Sequence, residues 1–186
     1  MAFTKKYVKA ASRRYVKTLN FMDEVLDKDK NILDLGVCNP FTSLLKDAGY
    51  KVTNTGEQVD LDYDHDSVLS KDFDVVTAFE ILEHLVNPFG VLHKIIAKEL
   101  VASVPLNLWF LPPHWNKTDP LDRHYHEFYP KQFDMLLEKS GWDIKKSESW
   151  VIPSSNWGIT PLFKRFLPRY YITYCTRKKD FNHQLP

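Results

Sequence analysis

The sequence predicts an α/β fold, a mainly parallel sheet with helices packed on both faces. Three observations carry this. Short apolar runs of strand length alternate with amphipathic segments of helical period through the first two-thirds of the chain. Two of the helical segments open on the same Asn-Pro pair, at Asn39-Pro40 and Asn87-Pro88. The strand candidate "FDVVTAFE" is rich in β-branched and aromatic residues, and the strand-helix alternation itself argues for a sheet covered on both faces.

Taken in order, residues 1–22 hold six Lys/Arg and no acid, a composition shared by transit peptides and basic arms. Tyr7, Val8, Ala11, Tyr15 and Leu19 nevertheless fall on one helical stripe, so an N-terminal helical segment within residues 1–29 explains both features. "NILDLG" is a short buried strand, and "PFTSLLKDAG" a helix with Asn39 at its N-cap, Pro40 at its first position and Gly49 just past its end. "KVTNTG" and "FDVVTAFE" (Phe73 to Glu80) are the next strands. "PFGVLHKIIAK" is a helix and "ELVASVP" a strand. A long proline-rich stretch, 106–130, has no clear period, and loops of that length are usually functional. "PKQFDMLLEKSG" reads as a helix. "WDIKKSESWVI" and "YYITYCTRKK" are two last strands, joined by a Pro- and Trp-containing insert at 153–168.

The 186 residues fit a single domain with a hydrophobic core, and 44% hydrophobic with 26% charged residues fits a globular protein. A net charge of +1 gives no push toward nucleic acid or an acidic membrane, and counts against a nucleic-acid partner. Two cysteines, Cys38 and Cys175, are too few for a disulfide scaffold, which favours a reducing, cytoplasmic setting. No apolar run approaches the roughly 20 residues that span a bilayer.

Ligands of open α/β sheets bind beyond the carboxyl ends of the strands, where strand order reverses. Three motifs fall there. In "ILDLGVCNPF", Gly36 permits a tight turn and Asp34 ends the strand, while Cys38 and Pro40 stand where glycines are common in such loops. In "FEILEHLVNP", Glu80, Glu83 and His84 share a face if the chain turns helical, and could bind a hard divalent ion, ligand hydroxyls or a helix end. In "DRHYHEF", His124 and His126 are candidate general bases.

Together these segments resemble the class I S-adenosylmethionine (SAM) methyltransferases from Asn31 to Lys178. "ILDLG" is similar to the family's first motif, and "FDVVTAFEILEHLVNP" to the segment around its fourth strand. "LVASVPL" is similar to its fifth strand, and "HEFYPKQFDMLLEKSGWDI" to the helix and strand after that. The resemblance implies a Rossmann-like methyltransferase sheet with an antiparallel last strand. SAM would lie against Asp34, Gly36, Cys38 and Asn39, with Glu57 on the ribose, Asp62 near adenine and Glu80 at the fourth strand's end. The family's glycine-rich loop is reduced here to one glycine, and little room remains between Gly56 and Asp60 for the helix usually found there. E-x-x-E-H resembles the metal ligands of ubiquinone-pathway and small-RNA 2′-O-methyltransferases. That narrower likeness implies Mg2+ on Glu80, Glu83, His84 and His124.

The expected function is methyl transfer to an oxygen, or nitrogen, of a small or glycan-like acceptor, with His124 or His126 as base. Trp109, Phe110, Trp115, Tyr125 and Tyr129 are candidates for an aromatic wall facing the sulfonium. Two alternatives stand beside it: a methyltransferase-like scaffold without SAM turnover, motivated by the lost glycines, and a metal-dependent RNA 2′-O-methyltransferase.

Overall fold

The computed structural model describes residues 5–56, 59–110, 114–119, 122–151, 167–179 and 181. A long helix α1 (Lys5–Val25) leads into β1 (Asn31–Asp34), α2 (Pro40–Asp47) and β2 (Lys51–Asn54). Then come β3 (Val75–Phe79), α3 (Pro88–Lys94), β4 (Glu99–Pro105), α4 (Pro130–Lys139), β5 (Trp142–Trp150) and β6 (Tyr170–Arg177). The six strands form one sheet in the order β2-β1-β3-β4-β6-β5. β1 to β4 pair in parallel, and β6 runs antiparallel to both β4 and β5.

The alternating side chains of the central strands feed two separate cores, as a pleated strand covered on both faces must. Ile32, Val75, Val101 and Ile172 join Phe21 and Met22 of α1 and Phe41 and Leu45 of α2 on one face. Leu33, Val76, Leu100 and Tyr171 join Leu92 of α3 and Phe133 and Leu137 of α4 on the other. The expected stripe on α1 is seen at Tyr15 and Leu19, partly buried against the first core.

The Asn-Pro pairs act as helix starts. Asn39 Oδ1 accepts from the N–H groups of Phe41 (2.8 Å) and Thr42 (3.2 Å), while Thr42 Oγ1 accepts from Asn39 N–H (3.3 Å). Asn87 Oδ1 accepts from Gly90 N–H at 3.0 Å. Pro40 and Pro88 lie in the first helical turn, where a missing N–H costs nothing. Asn39→Ala is expected to lower unfolding free energy by about 1 kcal/mol in urea denaturation, the usual cost of a lost N-cap.

One departure from the fuller fold is plain. Among the described residues no strand lies beyond β2, which is therefore a sheet edge. Val59–Ser70 makes turns and one 3₁₀ turn (Asp66–Leu69) instead. No described helix is long and apolar enough to cross a membrane.

Candidate active site

After β1 the chain crosses through α2 to β2 on one side, while β3 pairs on the other. The strand order therefore reverses between β1 and β3. The loops leaving their carboxyl ends are the ones carrying Gly36 and Glu80.

Asp34 is 4% exposed, and its carboxylate accepts from Thr77 Oγ1 (2.7 Å), Asn54 Nδ2 (3.0 Å) and Thr42 Oγ1 (3.4 Å). It thus ties β1 to β3, β2 and α2. Burial pushes its carboxyl up to about 6, against the pull of those three donors. The folded protein therefore holds this proton more tightly than the unfolded chain does. The stability it contributes is fully present below the unfolded carboxyl's pKa of about 4, and is lost as pH rises through about 6. The loss is at most about 3 kcal/mol. Asp34→Asn is expected to flatten that part of the stability–pH curve, measured by denaturation at successive pH values.

Gly36 turns with φ +102, and a side chain there would bring its Cβ to 3.1 Å from Ile81 Cδ1. Its N–H donates to Thr55 Oγ1 at 2.8 Å, an anchor with no sequence signal. Val37 and Cys38 beyond it are exposed.

At the end of β3, Glu80 has φ +53, the only positive φ outside glycine among the described residues. Its carboxylate accepts from Arg14 Nη1 of α1 (3.2 Å) and Ser103 Oγ of β4 (2.8 Å). Burial raises its pKa, opposed chiefly by Arg14. A 3₁₀ turn, Leu82–His84, comes next in place of an α-helical turn. It carries Glu83 and His84 together toward His124. A ligand atom from each of these three lies within 4.8 Å of the others.

This cluster is built like a cation site. Glu83 is 1% exposed and its Oε2 has no hydrogen-bond partner, an expensive state for a buried polar atom. Burial, and then Glu80, hold its carboxyl well above the usual range. His84 Nδ1 lies 3.1 Å from the carbonyl of Arg123, which can only accept, so the proton sits on Nδ1. Nε2, 3.8 Å from Glu83 Oε1, keeps its lone pair. His124 Nδ1 meets Glu127 Oε1 at 3.1 Å, leaving its Nε2 as the free nitrogen. Burial lowers both histidines, a trend the Arg123 carbonyl opposes at His84 and the neighbouring His84 reinforces at His124, which favours neutral imidazoles. Outer-nitrogen bonds of this kind orient histidine ligands in metal sites. Two imidazoles and one carboxylate suit borderline Zn2+ best, and Mn2+ as a harder ion that tolerates imidazole, whereas Mg2+ favours oxygen donors. The donor set gives the expected Mg2+ no support.

Beyond the carboxyl end of β4 opens a cleft of ≈ 380 Å³. His124, His114 and Trp115 line it from the long loop, Leu106 and Leu108 from the strand end, and Arg169 and Tyr170 from the start of β6. The backbone N–H groups of Tyr125 and His126 donate to Glu83 O (2.8 and 3.2 Å), so the loop is held against the 3₁₀ turn.

No protein-family model matches this chain, and no curated protein matches it in sequence. Solved structures do match in shape. A SAM-dependent methyltransferase from Archaeoglobus fulgidus superposes with TM-score 0.57 at 20% identity, covering 94% of this chain and 95% of that one. The methyltransferase of a complex with the Haloferax volcanii Trm112 methyltransferase activator gives 0.61 at 11% identity, covering 94% of each. A Burkholderia thailandensis 1,6-didemethyltoxoflavin-N1-methyltransferase, solved with its acceptor and S-adenosylhomocysteine, gives 0.56 at 13%, covering 96% and 92%. The chain has the class I SAM-dependent methyltransferase fold.

Within this methyltransferase fold the expected cofactor residues fall in three groups. Gly36 and Cys38 lie at the turn after β1, at the switch point. Asp34, Asn39, Asp62 and Glu80 all spend their side chains on the protein itself. Asp62 accepts from the N–H groups of Val86 (2.9 Å) and Asn87 (2.8 Å), fixing the segment after β2 to the start of α3. Glu57 lies outside the described residues. Of the four expected metal ligands, Glu83, His84 and His124 converge and Glu80 turns to Arg14. His126 lies 3.2 Å from the carbonyl of Val86 through Nε2 and stacks on Phe128, away from the cluster. Of the aromatic wall, Trp115 lines the cleft, while Trp109 is 79% exposed and Tyr125 and Tyr129 are exposed. Arg14, His114, Arg169 and Tyr170 carry no signal in the sequence. Glu127 does, standing three residues from His124.

Proposed function

We propose that this chain is a SAM-dependent methyltransferase acting on a hydroxyl oxygen of a small or glycan-like acceptor held in the cleft beyond β4. The observation that carries the reading is the convergence of Glu83, His84 and His124 beside that cleft, on a methyltransferase fold. SAM, when bound, supplies a methyl group already activated on a sulfonium, so positioning does much of the work. Gly36, Cys38 and the backbone up to Asn39 would hold its methionine part. Asp34 keeps the ends of β1, β2 and β3 in register beneath that turn. Glu83, His84 and His124 would hold a divalent ion, which would supply Lewis acidity toward an acceptor hydroxyl. Glu127 and the Arg123 carbonyl fix the two imidazole tautomers, and Trp115 with Leu106 gives the cleft an apolar wall. In a metal-free enzyme His124 Nε2 would be the base.

Calorimetric titration with SAM and S-adenosylhomocysteine tests the reading. It predicts saturable heat and a higher melting temperature; neither at millimolar ligand would sink it. The scaffold alternative draws on a specific observation, that Asp34, Asn39, Asp62 and Glu80 are all engaged within the protein, and the same titration decides it. The cysteines Cys38 and Cys175 are unpaired, in keeping with a reducing, cytoplasmic setting.

A further inference from the structure

The cleft has two chemically different ends. On the β3 side stand His124 and, behind it, Glu83 and His84. On the β6 side stands Arg169. Its backbone is pinned, since its N–H donates to Trp150 O (3.0 Å) and its carbonyl accepts from Leu106 N–H (2.9 Å). Its guanidinium makes no ion pair with any described residue. Among the described residues no carboxylate lies within ion-pair distance, and its closest ring is Tyr170, 6.0 Å from the centroid. The chain from 151 to 168 contains no acid that could supply one.

Glu80 is the nearby buried carboxylate, and both Arg14 and Arg169 favour its charge. Arg14 makes the direct bond, so Arg169 acts on Glu80 only at longer range. Glu127, also lining the cleft, has its Oε1 occupied by His124 Nδ1 and by His114 N–H (3.2 Å). A guanidinium facing a cleft presents a planar fork that matches an oxyanion.

We infer that Arg169 anchors an oxyanion, carboxylate or phosphate, on the acceptor, and so selects anionic acceptors over neutral ones. This rests on the cleft being the acceptor site. β4 lies between β3 and β6, so the two ends are separated by about two strand spacings, roughly 10 Å. That span fits an acceptor carrying its hydroxyl and its anionic group at opposite ends of one ring, lying along Leu106, Leu108 and Trp115.

The test uses 4-hydroxybenzoate, its neutral amide 4-hydroxybenzamide, and inorganic phosphate, titrated calorimetrically into the full chain and into Arg169→Gln and Arg169→Lys. An oxyanion, 4-hydroxybenzoate or phosphate, should bind the wild type at least about tenfold more tightly than Arg169→Gln. Arg169→Lys should recover part of the loss, and the amide should show no such dependence. Whichever probe shows the dependence names the anion. Equal binding to wild type and Arg169→Gln, equal binding of amide and acid, or no oxyanion binding overturns the inference. SAM titrated into the same proteins separates the two claims. SAM heat without Arg169-dependent anion binding removes the anchor alone, and absence of SAM heat removes the methyltransferase reading.

Discussion

Glu83→Met is expected to cut methyl transfer by roughly 10² or more while making the metal-free protein more stable. The two effects have one cause. Glu83 sits 1% exposed with Oε2 unpartnered, a burden of about 1–3 kcal/mol that a methionine of similar volume would not carry. Such a cost is retained where a group has work to do, and a cation bridging Glu83 to His84 and His124 would give the orphan oxygen its partner. Thermal unfolding with Zn2+ or Mn2+ should therefore show stabilisation of the wild type and none of Glu83→Met. A methionine variant that is less stable and equally responsive to the ions would mean that Glu83 is a packing residue.

Trp142→Ala is expected to cost about 3–5 kcal/mol, much of the stability of an ordinary domain. The indole is fully buried at the start of β5, where α4 turns back into the sheet. Its Nε1–H donates to Leu92 O at the core side of α3 (3.0 Å), and the Arg177 guanidinium lies 3.7 Å from a ring centroid. Arg177 in turn donates to the carbonyls of Ser140 and Ile95, which belong to the carboxyl ends of α4 and α3. Truncation thus removes core volume, takes one of two donors from Leu92 O and strips the ring face from the arginine that closes two helices. Trp109→Ala, at a 79% exposed site, should change urea-derived stability by no more than about 0.5 kcal/mol. Comparable losses at both positions would contradict this placement of the core.

The contrast between these sites shows what a sequence discloses. Helix starts were legible because an N-cap and its proline act within four residues, so Asn39-Pro40 and Asn87-Pro88 could be read locally. The parallel sheet was legible because strands alternate with helices along the chain, the crossover that parallel neighbours need. Glu83, His84 and His124 were legible as types and spacing. The roles of Asp34, Asp62 and Glu80 were not, because their partners lie far along the chain. Arg14 stands 66 positions from Glu80, and Thr77 stands 43 from Asp34. A carboxylate at a strand end looks the same in sequence whether it meets a ligand or ties neighbouring strands together. Arg169 was invisible for the converse reason, since only the three-dimensional arrangement brings it to the cleft that His124 also lines.

The opening turn, "LGVCNPF", takes a sharper form. Pro40 belongs to the capping of α2, and Gly36 is held by Thr55 and by the close approach of Ile81, so both ends of the turn are fixed by the protein's own contacts. Cys38 remains exposed at its outer edge. With the polar side chains around it committed to the protein, recognition of SAM there would fall to backbone groups and apolar contact.

A crystal structure with S-adenosylhomocysteine and Mn2+ added tests the central claim most directly. The expected result is the nucleoside product over the turn from Gly36 to Asn39, its sulfur facing the cleft, and an ion ligated by Glu83, His84 and His124. A cleft and turn both empty at saturating ligand, in a protein that gives no heat with SAM, would contradict it.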